Sequence, residues 1–200
     1  ISTPPGMGGI AVIRLSGPAA FSICDKIFFP ARKEASLSEA KSHTLLYGEI
    51  FYNNEAVDEV VLSVFRNPHS FTGEDVIELQ GHGGMILQQQ LLTRVFELGA
   101  NQAVAGEFSA RAFDNDKLDL VQAEAIADAI DATSVAAAKS AMRSLTGEFS
   151  QKINALLEQL IQLRLYVEAA IDFPDEEGVD FLADEHIAKQ LRQVCEQLNN

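Results

Sequence analysis

The sequence predicts an α+β domain built on a mixed sheet, followed by an all-α domain. Three patterns lead there. Short β-branched or alternating apolar runs are concentrated before residue 106, two segments of helical period lie among them, and from Leu118 the chain turns to alanine, glutamate, glutamine and leucine at helical spacing. Two hundred residues with 47% hydrophobic content can form one sizeable core or two small ones. The net charge of −14 speaks against a broad basic surface for nucleic acid, so any such contact comes from a local patch or through a partner.

Residues 1–9, ISTPPGMGG, read as a Pro/Gly loop able to turn tightly or to approach another surface. It is not a phosphate loop, because the Lys-Ser/Thr of a P-loop is missing and no helix follows. Residues 10–15 make a strand in which Arg14 shares a face with Ile10 and Val12. A guanidinium there calls for a fixed acceptor, unless it is a strand-end Arg reaching solvent. Pro18 opens a helix to about Phe28, and 29–43 is an irregular surface connection. Two β-rich runs, 44–52 and 57–65, flank Asn53-Asn54-Glu55-Ala56 and predict a hairpin.

The stretch SFTGEDVIELQGHGG, residues 70–84, is central. It reads as a buried strand with a functional loop at each end. Glu78 interrupts the apolar run Val76-Ile77-Glu78-Leu79, and a carboxylate in a buried strand needs a cation or a ligand N–H opposite. A salt bridge or an exposed edge position would also account for it. His82 lies among Gly81, Gly83 and Gly84, either as a ligand contact or as a histidine satisfied within the loop. Residues 85–98 show a helical period ended by Gly99, and 100–105 a short strand.

The second domain predicts a helix over 118–132, with Ile126 and Ile130 on its buried face. A long helix follows over 135–170, with a possible kink at Gly147 and a seam at 149, 153, 156, 160, 163, 167 and 170. An acidic break at 172–180 reads as a solvated loop rather than a metal site. Asp184 then caps a last helix whose apolar face is Ile187, Leu191, Val194, Cys195 and Leu198. Cys24 and Cys195 match no metal or redox spacing and read as buried thiols of a reducing compartment. No apolar run is long enough to span a membrane and no signal peptide is visible, which points to the cytoplasm.

Four segments, TPPG-x-GGIAVIR-x-SGP, SFTGEDVIELQGHGG, GEFSARAF-x-NDKLDLVQAEAIADAIDA and YVEAAIDFPDEE, together closely resemble the MnmE (TrmE) family of tRNA-modification GTPases. The departures are Met7, where a basic residue is usual, Ala105, where proline is common, and Asp114, where an apolar residue is usual. They bear on local loop geometry. The resemblance implies that residues 1–117 are a dimerising domain similar to the tetrahydrofolate-binding domain of aminomethyltransferases. Residues 118–200 are then the first part of a helical domain into which a Ras-like G domain is inserted further on. No G-x-x-x-x-G-K-[ST] and no Asn-Lys-x-Asp motif occurs here, so the sequence reads as the first part of such a protein, without GTPase activity of its own.

The family also implies a homodimer and a flavoprotein partner, MnmG or GidA. Together they place a carboxymethylaminomethyl or aminomethyl group on C5 of the wobble uridine of tRNA. The one-carbon source is 5-formyl-tetrahydrofolate or 5,10-methylene-tetrahydrofolate, with GTP, Mg and K in the G domain. Carried over by motif, the folate contacts are Arg14, Glu78 and Lys117, with no catalytic or metal-binding residue in this stretch. A pterin edge offers paired N–H donors to a carboxylate, and folate's carboxylates suit Arg14 or Lys117. A self-sufficient folate-dependent one-carbon transferase and a structural dimerisation scaffold are the competing readings.

Overall fold

Alternation along β1 (Ile10–Ser16) turns Ala11, Ile13 and Leu15 into the core and leaves Val12, Arg14 and Ser16 on the other face. The same logic shapes β4 (Glu55–Phe65), with Val60, Leu62 and Val64 inward, and β5 (Val76–His82), with Ile77 and Leu79 inward. With β2 (Phe28–Pro30) and β3 (Thr44–Tyr52) these strands make one five-stranded sheet, ordered β1-β5-β4-β3-β2. The computed structural model describes residues 1–4, 6–32, 34–53, 55–172 and 184–198. The chain divides into two units, Ile1–Leu118 and Asp119–Asn200.

The sheet is antiparallel at every junction, not mixed. A parallel neighbour for β5 needed a strand returning after the following helix, α2 (Met85–Glu97), and the expected strand at 100–105 forms no ladder. Those residues are mostly exposed and polar at Asn101 and Gln102, with no apolar alternation to bury. The hairpin of β3 and β4 forms as expected, with a register shift between Ile50 and Phe51. Of its turn, Asn54 lies outside the described residues.

One face of the sheet carries the core. Leu62, Val64, Ile77 and Leu79 pack with Ile13, with Ile23 and Cys24 of α1 (Ala20–Cys24), and with Leu91 and Val95 of α2. The helix expected to reach Phe28 is shorter, because Ile27 and Phe28 are buried and Phe28 already pairs with Ile50 in β2. Beyond Gly106, at φ +78°, lies α3 (Glu107–Asp114), a helix of only eight residues, about two turns, that is not among the elements expected from the sequence.

The second unit is helical, with α4 (Leu120–Asp131), α5 (Val135–Leu145), α6 (Glu148–Asp172) and α7 (Asp184–Leu198). Asp119 caps α4 by accepting from the Gln122 N–H at 2.8 Å, while Gln122 Oε1 accepts from the Asp119 N–H at 3.0 Å. The long helix over 135–170 is two helices. Gly147 adopts φ +83°, a left-handed conformation that ends one helix and re-aims the next. Ala125, not Ile130, is the buried residue of α4, and Ile130 is 77% exposed. On α6 the seam buries Leu163 but leaves Phe149 and Ile153 exposed. Cys24 is buried as expected, whereas Cys195 is exposed. The acidic break at 173–180 and the side chain of Asp184 lie outside the described residues.

Leu62 is fully buried where β4, β5 and the helices meet. Leu62→Ala is expected to lower stability by about 2–5 kcal/mol through lost burial and a residual cavity. Denaturant unfolding followed by circular dichroism checks this, and an unchanged midpoint would mean that this strand does not carry the core.

Candidate functional site

Antiparallel pairing of β1 with β5 sets Arg14 directly opposite Glu78, on the face turned away from the core. Arg14 Nε donates to Glu78 Oε1 at 2.7 Å, and Nη2 donates to the same oxygen. The side chains are 30% and 16% exposed, so the cation needed opposite Glu78 is Arg14, and each accounts for the other's place. Two phenyl rings lie close, with the Arg14 guanidinium carbon 6.0 Å from the Phe71 centroid and 5.7 Å from that of Phe108. Among the described residues, Arg14 Nη1 and Glu78 Oε2 have no hydrogen-bond partner. The pair therefore offers a free amino group, Nη1, and a free carboxylate oxygen, Oε2, beside aromatic surface.

Lys117 is not in contact with that pair. Its Nζ donates to the Pro68 carbonyl at 3.1 Å, in the turn that leads from β4 to β5. Lys117 and Arg14 thus border the same turn, residues 67–75, at Pro68 and at Phe71 respectively. Gly73, at φ +77°, is needed there twice over. An L side chain is strained at that angle, and an added Cβ would stand 3.1 Å from Asn115 Cβ and 3.2 Å from Lys117 Cγ.

The turn is held by polar groups that sequence reasoning missed. Ser16 Oγ donates to Glu74 Oε2 at 2.6 Å and lies 2.7 Å from Thr72 Oγ1, which therefore donates to it. Arg111 on α3 reaches both Glu74 oxygens at 3.2 Å and Glu107 Oε1 at 2.7 Å. The Glu107 carboxyl is held below its ordinary value, first by the Arg111 bonds and then by the Val104 N–H. Asn115 Nδ2 closes on the Thr72 carbonyl at 2.8 Å. Only the four-residue spacing of Glu107 and Arg111 could have been found in the sequence, and only with the helix in hand.

His82 is held apart from this cluster. Its Nδ1 lies 2.5 Å from Asp58 Oδ1, and its backbone N–H donates to Asp58 Oδ2 at 2.8 Å. The ring is satisfied by a carboxylate of β4, not by a loop carbonyl and not by the Arg14 site. Gly83 serves a close approach, since a Cβ there would collide with the Gly8 carbonyl, so the Pro/Gly arm does come against another surface.

The family model described as "GTP-binding protein TrmE N-terminus" matches residues 1–117, and that of the "MnmE helical domain" matches residues 120–200. The chain belongs to the MnmE family. It is 64% identical over 198 residues to the tRNA modification GTPase MnmE of Psychrobacter sp. (strain PRwf-1), covering 99% of this chain and 41% of that protein. The protein of the same description from Psychrobacter arcticus is 64% identical over 201 residues, at 100% and 41% coverage. That of Acinetobacter baumannii (strain AYE) is 59% identical over 196 residues, at 97% and 41%. The chain thus spans about two-fifths of the length of these curated MnmE relatives and matches the family's N-terminal and helical domains. No helix among its described residues is long and apolar enough to cross a membrane.

The Asp58 carboxylate, by hydrogen bond first and by charge second, raises His82 above the ordinary histidine value. A raised folded-state value means that the pair stabilises fully below the unfolded value, about 6.5, and that this is lost as pH rises through the folded value. An NMR titration of the His82 ring is expected to show a midpoint above 6.5 that falls back in Asp58→Asn. A midpoint unmoved by that substitution would refute the coupling.

Proposed function

We propose that residues 1–117 are the tetrahydrofolate-binding and dimerising domain, and 118–200 the first part of the helical domain, of a GTPase that modifies tRNA. With the flavoprotein MnmG/GidA, the whole protein adds a carboxymethylaminomethyl or aminomethyl group to C5 of the wobble uridine, in the cytoplasm. GTP, Mg and K belong to a G domain outside these 200 residues. The observation that carries the folate reading is the Arg14–Glu78 pair, with Nη1 and Oε2 unengaged beside Phe71 and Phe108.

This donor set fits a folate in kind. A pterin edge presents N–H groups to Glu78 Oε2 and carbonyl or ring-nitrogen acceptors to Arg14 Nη1, and its flat face suits phenyl surface. The glutamate tail carries carboxylates, for which the exposed Lys117 ammonium is the nearby candidate once it leaves the Pro68 carbonyl. When bound, the folate supplies a one-carbon unit. The residues here bind and orient it, and none of them is assigned a proton transfer or a covalent step.

The homodimer is supported by the same sheet face. Leu45 pairs with Ser63, and Ser63 with Glu78, so the row Leu45, Ser63, Glu78, Arg14 runs across one side of the sheet. Leu45 is 69% exposed and Tyr47, in the next row, 55%. Apolar side chains at such positions are suited to a second copy.

The folate test is calorimetry with formyl-tetrahydrofolate on the full-length protein and on Glu78→Gln, Arg14→Ala and Lys117→Ala. Glu78→Gln is expected to cost about 2 kcal/mol of affinity, a charge-assisted contact. Arg14→Ala should cost stability as well, because Glu78 is left partly buried without its cation. Equal binding by all four proteins would return these residues to a structural role. For the dimer, sedimentation of the full-length protein is expected to give a dimer at micromolar concentration that Leu45→Lys weakens. A wild-type monomer would refute that part.

A further inference from the structure

Three features of the first unit surround Arg14 without taking part in its ion pair. Phe108 stands on α3, Phe71 stands in the 67–75 turn, and Arg111 ties that helix to that turn. Arg111 gives one edge to Glu107, one turn back on its own helix, and another to Glu74 in the turn. Glu74 in turn receives Ser16 Oγ from β1, two residues after Arg14. A chain of charge-assisted contacts therefore runs from α3 through the turn to the strand that carries Arg14.

We propose that Arg111 is a positioning residue of the Arg14–Glu78 site, holding Phe108 and Phe71 beside the Arg14 guanidinium so that the site is shaped for a flat heterocycle before it binds. The inference rests on the folate reading above and adds to it a residue that touches no ligand. Its physical basis is the fork of the guanidinium. Two carboxylates on separate elements, Glu74 and Glu107, are reached by different edges of one planar group, and an ammonium has no such fixed geometry. Without the bridge, Glu74 and Glu107 would be two unneutralised carboxylates facing one another across the junction of turn and helix, and their repulsion would part them. Phe108 neighbours Glu107 and Phe71 lies three residues before Glu74, so parting would move both rings away from Arg14. Thr72, fully buried between them, and the Asn115 bond to its carbonyl keep the turn folded when Arg111 is changed. The effect is then one of placement and not of unfolding.

The test uses the full-length protein and formyl-tetrahydrofolate, with affinity from calorimetry and ring stacking from the induced circular dichroism of the bound pterin at saturation. Arg111→Gln is expected to weaken binding about tenfold or more and to change the induced band, with Arg111→Lys recovering part of both. Glu74→Gln keeps an acceptor for Ser16 and leaves Arg111 only a neutral partner in the turn, so it weakens the bridge without the carboxylate repulsion. It should act in the same direction to a smaller extent and serves if Arg111→Gln fails to fold. Wild-type affinity and an unaltered band in Arg111→Gln or, if that does not fold, in Glu74→Gln would overturn the inference, even if their melting temperatures fall. If Glu78→Gln weakens binding in that same experiment, the folate reading stands and only the role of Arg111 falls. A wild-type protein that binds no folate overturns both.

Discussion

The pairing of Arg14 with Glu78 across β1 and β5 is the constraint on which the rest of the first unit depends. Side chains alternate along a strand, so the register that puts Ile13 opposite Leu79 and Leu15 opposite Ile77 in the core necessarily puts these two charges opposite one another. A slip by one residue would turn the charges inward and the core outward. The ion pair is thus fixed by the apolar residues between which it alternates. As a contribution to stability it is modest, since a well-packed apolar pair of similar volume commonly serves as well or better in a partly desolvated position. The pair leaves Arg14 Nη1 and Glu78 Oε2 uncommitted among the described residues.

The turn between β4 and β5 surrounds that local pair with contacts from other elements. Residues 67–75 receive bonds from β1 through Ser16, from α3 through Arg111 and Asn115, and from Lys117. Elements distant in sequence meet at this one turn through side-chain hydrogen bonds and ion pairs. Thr72 is fully buried, and a hydroxyl at such a position must be bonded, which it is by Ser16 and by the Glu74 N–H. The turn's shape is therefore fixed in large part by side-chain hydrogen bonds, with Ser70 and Thr72 both buried and bonded.

How much of this was legible in the sequence follows from what periodicity can report. The strands around Arg14 and Glu78, the hairpin and the α2 helix were readable, because alternation and the helical period both record burial on one face. Glu78 and Arg14 stood out for the same reason, as charges breaking such a pattern. What was unreadable was short or aperiodic. β2 has three residues, α3 has eight, and the 100–105 segment holds a single β-prone residue, Val104, and forms no ladder. Ile130 looked buried because a helical period shows which side of α4 is apolar but not how far its neighbours cover that side, and Ala125 lies deeper. Phe71, Glu74, Phe108 and Arg111 acquire meaning only after β1, the turn and α3 are brought together, and no local pattern carries that information.

Charge gives the site one further property. With 29 acidic residues against 15 basic, the chain's long-range field is negative and opposes an anionic ligand at a distance. At physiological ionic strength that field decays over about 8 Å, so capture is decided at contact range. At that range Arg14, Arg111 and Lys117 all border one turn, with the carboxylates of Glu78, Glu74, Glu107 and Asp75 set among them, so what matters is which cation is left without a carboxylate partner. Glu78 occupies Arg14, and Glu74 with Glu107 occupies Arg111, by direct bonds, whereas the exposed Lys117 ammonium is held among the described residues by the neutral Pro68 carbonyl. Exchanging that carbonyl for a carboxylate replaces a charge–dipole contact with a charge–charge one and leaves the other two ion pairs intact. A carboxylate could therefore be accepted at Lys117 without breaking Arg14 from Glu78, because the two cations are held by different partners.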